Sequence, residues 1–116
     1  MMKEFIRVMK AASDPTRVKI LKMLEKKSMC VCEIQEGLGT AQSTASKHLK
    51  ILEDAGLVTS KKDGLWVNYS LADGGHSPYA ANLLGSVRHW LNEDPEIQAA
   101  TGKAVRLDRY EILGKR

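Results

Sequence analysis

Apolar residues recur along the chain at two spacings, and the change from one to the other marks its architecture. Phe5, Ile6 and Met9 fall on one side of a segment over 3–12, at the spacing of a helix. Asp14 then offers an N-cap and Pro15 a first-turn residue whose missing N–H costs nothing there. Beyond them Val18, Ile20, Leu21 and Leu24 repeat at helical spacing between Arg17, Lys19, Lys22, Lys26 and Lys27, which predicts a second helix. Val31, Ile34 and Leu38 predict a short third helix over 30–38, broken by Gly39. Thr40 is placed to cap a fourth helix that runs to about residue 55, with Ala45, Leu49 and Leu52 turned inward and Gly56 as its stop.

From residue 57 the period changes. Two extended runs, 57–60 and 65–71, are rich in Leu, Val, Trp and Tyr and flank Lys61-Lys62-Asp63-Gly64. Asp-Gly is a strong two-residue hairpin turn, so the lysine pair is expected at the hairpin tip. Residues 73–78 read as a loop, and 79–91 as a helix carrying Ala80, Leu83, Leu84, Val87, Trp90 and Leu91 on one stripe. Asp94-Pro95 and Gly102 argue against one helix continuing to the end, leaving a tail that is either a short helix or disordered. The expected fold is mainly α with a β-hairpin, a winged helix-turn-helix. Residues 1–92 form its DNA-binding and dimerisation domain, and 93–116 a C-terminal extension.

Charge sharpens this picture. Of the net +4, residues 1–70 hold 12 Lys/Arg against 8 Asp/Glu, whereas 71–116 balance at 6 against 6. A segregated basic surface steers a protein to nucleic acid or to an anionic membrane. No apolar run exceeds four residues, so a membrane span is not expected. The charges at Lys3, Glu4, Arg7 and Lys10 break any signal-peptide core, and a cytosolic protein is expected. Nucleic acid fits the fourth helix, where Gln42, Ser43, Thr44, Ser46, Lys47, His48 and Lys50 offer groups for base edges and phosphates in a major groove. Lys61 and Lys62 suit backbone phosphate or the minor groove. Trp66 and Tyr69 are expected to pack rather than to stack on bases. An enzyme is not expected: Cys-x-x-Cys, a thioredoxin-like strand–helix pattern and room for a substrate cleft are all missing.

Cys30 and Cys32 are the remaining chemistry. With one residue between them, a structural bridge is not expected and a thiol site is. Two thiols are too few for a closed zinc site. In a regular helix their directions differ by about 200°, so joint ligation would strain the first turn and move the helix that follows. Lys26, Lys27 and the helix N-terminus favour thiolate, while Glu33 and Glu36 oppose it. Soft-metal or metalloid sensing, redox sensing and inert packing all remain open from the residues alone.

Asp14-Pro15-Thr16-Arg17, Cys30-Val31-Cys32-Glu33-Ile34, Gln42-Ser43-Thr44-Ala45-Ser46-Lys47-His48-Leu49-Lys50-Ile51-Leu52, Glu53-Asp54-Ala55-Gly56-Leu57-Val58 and Asp63-Gly64-Leu65-Trp66-Val67-Asn68-Tyr69 together resemble the ArsR/SmtB family of metal-sensing repressors. The resemblance spans about residues 5–92. It implies a homodimer that holds double-stranded operator DNA and lets go when an inducer binds. The implied dimer seam uses the first and last helices, carried over to Phe5, Ile6, Met9, Leu83, Leu84, Val87 and Leu91. Cys-Val-Cys is similar to the arsenic-responsive members, which implies arsenite or antimonite as inducer on Cys30 and Cys32 and no cofactor needed for folding. Those members commonly carry a third cysteine where this chain has Gln35, leaving the third ligand to water, a small thiol or nothing. A zinc site like that of the zinc sensors would use Asp73, His76, His89 and Asn92, whose spacing departs from that pattern. The alternatives are a thiol redox or other soft-metal regulator, and a dimeric interaction module that does not bind DNA.

Overall fold

The computed structural model describes residues 1–75 and 77–114. Its elements are α1 (Met2–Ala12), α2 (Pro15–Leu24), β1 (Met29–Cys30), α3 (Val31–Leu38), α4 (Gln42–Asp54), β2 (Val58–Asp63), β3 (Trp66–Leu71), α5 (Pro78–Val87), α6 (Pro95–Arg106) and α7 (Arg109–Gly114). Each of the chain's three prolines opens a helix behind a capping side chain. Asp14 accepts from the Arg17 N–H at 3.0 Å, Ser77 from Ala80 at 3.2 Å, and Asp94 from Glu96 and Ile97 at 2.9 and 3.3 Å.

The core is built around α2, where Ile20, Leu21 and Met23 are buried with Val8 of α1, Ile34 of α3, Leu49 and Leu52 of α4, and Leu57. The sheet has the order β1-β3-β2, antiparallel throughout. β3 is its centre, with Met29 and Ser60 both opposite Tyr69.

Several expectations change. Cys30 ends a strand with an extended backbone instead of opening the third helix, because Met29-Cys30 pairs with Asn68 and Tyr69. Thr40 does not cap α4. Its N–H closes α3 on the Gln35 carbonyl at 3.3 Å, and Ala41 takes the N-cap position without a side-chain bond. Lys22, one of the basic residues between the apolar positions of α2, is buried at 1% exposed. Its ammonium donates to the Val87 and Trp90 carbonyls at 2.8 and 2.9 Å and meets Glu25 at 2.9 Å. A cation on the last carbonyl of α5, Val87, and on that of Trp90 just beyond it accompanies the end of the helix at Val87, short of the expected residue 91. Leu91 then lies in a turn, at φ 66°.

The described part of the tail is largely helical, with Ile97, Ala100, Ala104 and Ile112 buried. Gly102 sits inside α6 instead of breaking it. A mid-helix glycine costs about 1 kcal/mol against alanine, less than the gain from the Asp94-Pro95 start and the burial of Ile97, Ala100 and Ala104.

Candidate nucleic-acid interface and thiol site

α4 turns Ala45, Leu49 and Leu52 into the core and leaves Gln42, Ser43, Thr44, Ser46, Lys47 and Lys50 exposed. All six are accessible to solvent. His48 does not join them fully. It is half-buried, with Nδ1 3.2 Å from Arg17 Nη1 and 4.0 Å from the Asp14 carboxylate. A guanidinium only donates, so Nδ1 accepts and Nε2 carries the hydrogen. Arg17 is fixed in turn by the Ala11 and Lys10 carbonyls at 2.7 and 3.2 Å. The imidazole is thereby held against the joint between α1 and α2.

The wing departs from its expected register. Asp63 pairs with Trp66, so the loop is Gly64-Leu65, with Gly64 at φ 62°. Positive φ there is what a tight hairpin demands and what glycine supplies. The tip is thus Leu65, 99% exposed, and the lysines sit in β2 with Lys61 opposite Asn68 and Lys62 opposite Val67. Successive strand residues face opposite sides, so the two lysines do not act as a pair. Lys62 shares the face of Val58 and Ser60, the side tied to α4 by the Ser60–Glu53 hydrogen bond at 2.6 Å. Burial, and secondly the Glu53 carboxylate, raise the Tyr69 hydroxyl above its ordinary 10.0.

Cys30 and Cys32 are joined as a disulfide with their Cα atoms 5.5 Å apart, against the expectation that so short a spacing excludes a bridge. The reason is local. Cys30 has φ −83° and ψ 167°, so the half-turn opposition of two helical side chains does not arise. The Cys30 N–H donates to Glu33 Oε1 at 2.9 Å, closing the first turn of α3. Beside the sulfurs lies a hollow of about 250 Å³ lined by Cys30, Val31, Cys32, Gln42, Leu65, Trp66 and Val67. The thiol site therefore opens on the first residue of α4 and on the wing, a juxtaposition that linear spacing does not reveal.

Among the described residues, no group of three or more His, Cys, Asp or Glu side chains is placed to hold a metal ion. His89 is exposed, and His76 lies outside the described residues. No described helix is long and apolar enough to cross a membrane.

The expected seam residues divide. Phe5 packs edge-on against Tyr79 with ring centroids 5.5 Å apart. A groove of about 250 Å³ joins Phe5, Met9, Tyr79, Leu83 and Trp90. Leu84 is half-buried, and Val87 is 8% exposed within the protomer. Ile6 faces a different hollow, with Ile51, Lys3, Arg7, Lys10 and Arg17. Leu91 lies beyond α5 and lines a hollow with Ala12, Val18 and Ile97.

A helix-turn-helix with a polar outward α4 and a β-hairpin beside it defines a winged helix-turn-helix transcriptional regulator. The chain belongs to the ArsR family. Residues 14–60 match the pattern of bacterial regulatory proteins of the arsR family. The arsenical resistance operon repressor of Escherichia coli K12 is 33% identical over 103 residues, covering 87% of this chain and 85% of the relative. An HTH-type transcriptional regulator of Methanocaldococcus jannaschii is 49% identical over 67 residues, 57% of this chain and 75% of the relative. Among solved structures, reduced HlyU from Vibrio cholerae aligns with a TM-score of 0.66 at 26% identity, covering 79% of this chain and 93% of that one. A homodimeric winged helix-turn-helix DNA-binding domain from Mycobacterium bovis aligns at 0.65 and 29% identity, covering 75% and 77%. Family and neighbours are regulators, not enzymes.

Proposed function

We propose that the protein is a homodimeric repressor that holds double-stranded operator DNA and releases it when arsenite or antimonite binds Cys30 and Cys32. The observation that carries this reading is the convergence of the two sulfurs beside a hollow shared by Gln42 and the wing. In the reduced protein, each sulfur replaces one hydroxide on trivalent arsenic. The thiol proton leaves with that hydroxide as water, and arsenic stays trivalent. The third position on arsenic keeps hydroxide or takes a small thiol, since Gln35 supplies no sulfur. Ligation at the mouth of the hollow displaces the start of α4 or the wing, and either shift spoils the fit to a groove. The relatives named as arsenical resistance operon repressors support the choice of metalloid.

On DNA, Gln42, Ser43, Thr44, Ser46, Lys47 and Lys50 meet bases and phosphates, and His48 orients the helix through Arg17 as much as it reads. Two copies related by a two-fold axis read half-sites one helical turn apart. The seam of this reading is the α1–α5 groove of Phe5, Met9 and Leu83, and the homodimeric M. bovis neighbour supports the two-fold assembly.

The disulfide favours one further reading, a redox regulator in which a peroxide takes two electrons from the dithiol and leaves as water. One titration separates the two. Reduced protein on its own upstream DNA is followed by fluorescence anisotropy with arsenite, antimonite, cadmium, zinc or hydrogen peroxide. Release by arsenite and antimonite, lost in Cys30→Ser and Cys32→Ser, is expected. Wild-type protein that stays bound with both thiols saturated rejects metalloid induction, and release by peroxide alone assigns the redox role.

A further inference from the structure

The C-terminal helix reaches back to the thiol site through one residue. Arg109 Nη2 donates to Asn68 Oδ1 at 2.7 Å and stands 3.9 Å from Glu33 Oε1. Its guanidinium also lies over the Trp66 ring, 5.0 Å from the centroid, while Tyr110 meets the same ring edge-on at 6.0 Å. Glu33, 4% exposed, is the carboxylate that accepts from the Cys30 N–H at 2.9 Å. Cys30 pairs across the sheet with Asn68, and Asn68 pairs on its other side with Lys61. These contacts close a ring: Cys30 to Glu33, Glu33 to Arg109, Arg109 to Asn68, and Asn68 to Cys30. The Lys27 ammonium donates to the Leu107 carbonyl and fixes the approach to α7.

We propose that Arg109 is a positioning residue and α7 a latch through which the state of the cysteine pair sets the wing. The inference rests on the sensing role of Cys30 and Cys32 proposed above. One oxygen of Glu33, Oε1, faces both the Cys30 N–H and the Arg109 guanidinium. Any change in the backbone of Cys30, whether from ligation or from the disulfide, moves the carboxylate on which Arg109 closes. When Arg109 lets go, Asn68 and Trp66 lose the partner that pins β3, and the strand opposite, with Lys61 and Lys62, moves with it. An arginine is suited to this post because one planar cation serves a carboxylate, an amide oxygen and an indole face at once. A lysine keeps the charge beside Glu33 but not the plane.

The test is hydrogen–deuterium exchange on the full chain, reading segments 107–112 and 58–71 in the reduced, arsenite-bound and disulfide states. In wild type, thiol ligation should speed exchange in both segments about tenfold, as for a local opening. In Arg109→Ala both segments should exchange fast in every state, and the arsenite-driven loss of operator affinity, about 5–150-fold in wild type, should shrink to within about threefold of none. Arg109→Lys should restore part of that response. Wild-type exchange that ignores the thiol state overturns the latch without needing any variant to fold, and so does a full arsenite response in Arg109→Ala. Operator that stays bound while both segments open removes metalloid induction and leaves the latch standing. If thiol titration shows that arsenite does not bind, the comparison of reduced with disulfide protein decides the latch alone.

Discussion

Lys22 carries more of the fold than its place in a basic helix suggests. A buried ammonium is tolerated because two carbonyls and Glu25 surround it. Removing it leaves a buried carboxylate and the end of α5 unpartnered. Lys22→Met should therefore cost about 3–5 kcal/mol, measured by urea denaturation. Lys19→Met, which breaks an exposed 3.9 Å pair with Glu96, should cost less than about 1 kcal/mol. Tyr69 gives a second residue-scale expectation. Its hydroxyl titrates above 10.0 in the fold, so the folded state favours the neutral phenol. The stability this contributes is complete below the unfolded value and is lost as pH rises through the folded one. Unfolding followed above about pH 10 should show that loss in wild type and less of it in Tyr69→Phe. Neither role was legible in the sequence. A hydropathy pattern counts lysine as outward, and the carbonyls that draw Lys22 inward lie more than sixty residues away.

Elements were legible where their signals are local. Asp14-Pro15 and Ser77-Pro78 marked helix starts and the inward positions of α4 followed from period alone, whereas Asp94-Pro95 read only as a break and is the start of α6. Ends and registers were not, because partners distant in sequence decide them. α5 stops where Lys22 takes its last carbonyl, and two-residue β1 exists only because β3 offers it an edge. The hairpin is the instructive case. Placing the turn at Gly64-Leu65 instead of Asp63-Gly64 moves the lysines from the tip into the strand. On opposite faces they should behave unequally in DNA binding. Lys62→Ala, on the side packed toward α4, should lower the salt slope of log affinity by about 1, and Lys61→Ala by clearly less. Equal losses in a salt titration would return the two side chains to one surface.

At the scale of the whole molecule, the excess positive charge and the proposed two-fold assembly would act together. Each phosphate contact releases condensed counterions, so operator affinity should fall roughly 10³–10⁵-fold between about 50 and 200 mM salt. A flat anisotropy response would remove phosphate contact from the account. The dimer is best tested at Leu83, which is half-buried and lines the α1–α5 groove. Leu83→Glu should give a monomer by sedimentation and weaken palindrome binding, because a buried unpaired carboxylate costs several kcal/mol. A charge at Val87 is the poorer probe, since that side chain is already covered within the protomer. The helical architecture and the exposed polar positions of α4 could thus be read from pattern. The joining of tail, wing and thiols could not, since only the closed fold brings Glu33, Asn68 and Arg109 together.

That joining also has a consequence in time. Arg109 leaves the ribosome 76 residues after Glu33. At about 5–20 residues per second, the nascent chain waits roughly 4–15 s for the arginine that braces its cysteine turn. During that interval Cys30 and Cys32 belong to a chain without its C-terminal brace. A membrane-permeant alkylating agent given as a pulse to translating cells should therefore mark newly made chains more heavily than finished ones.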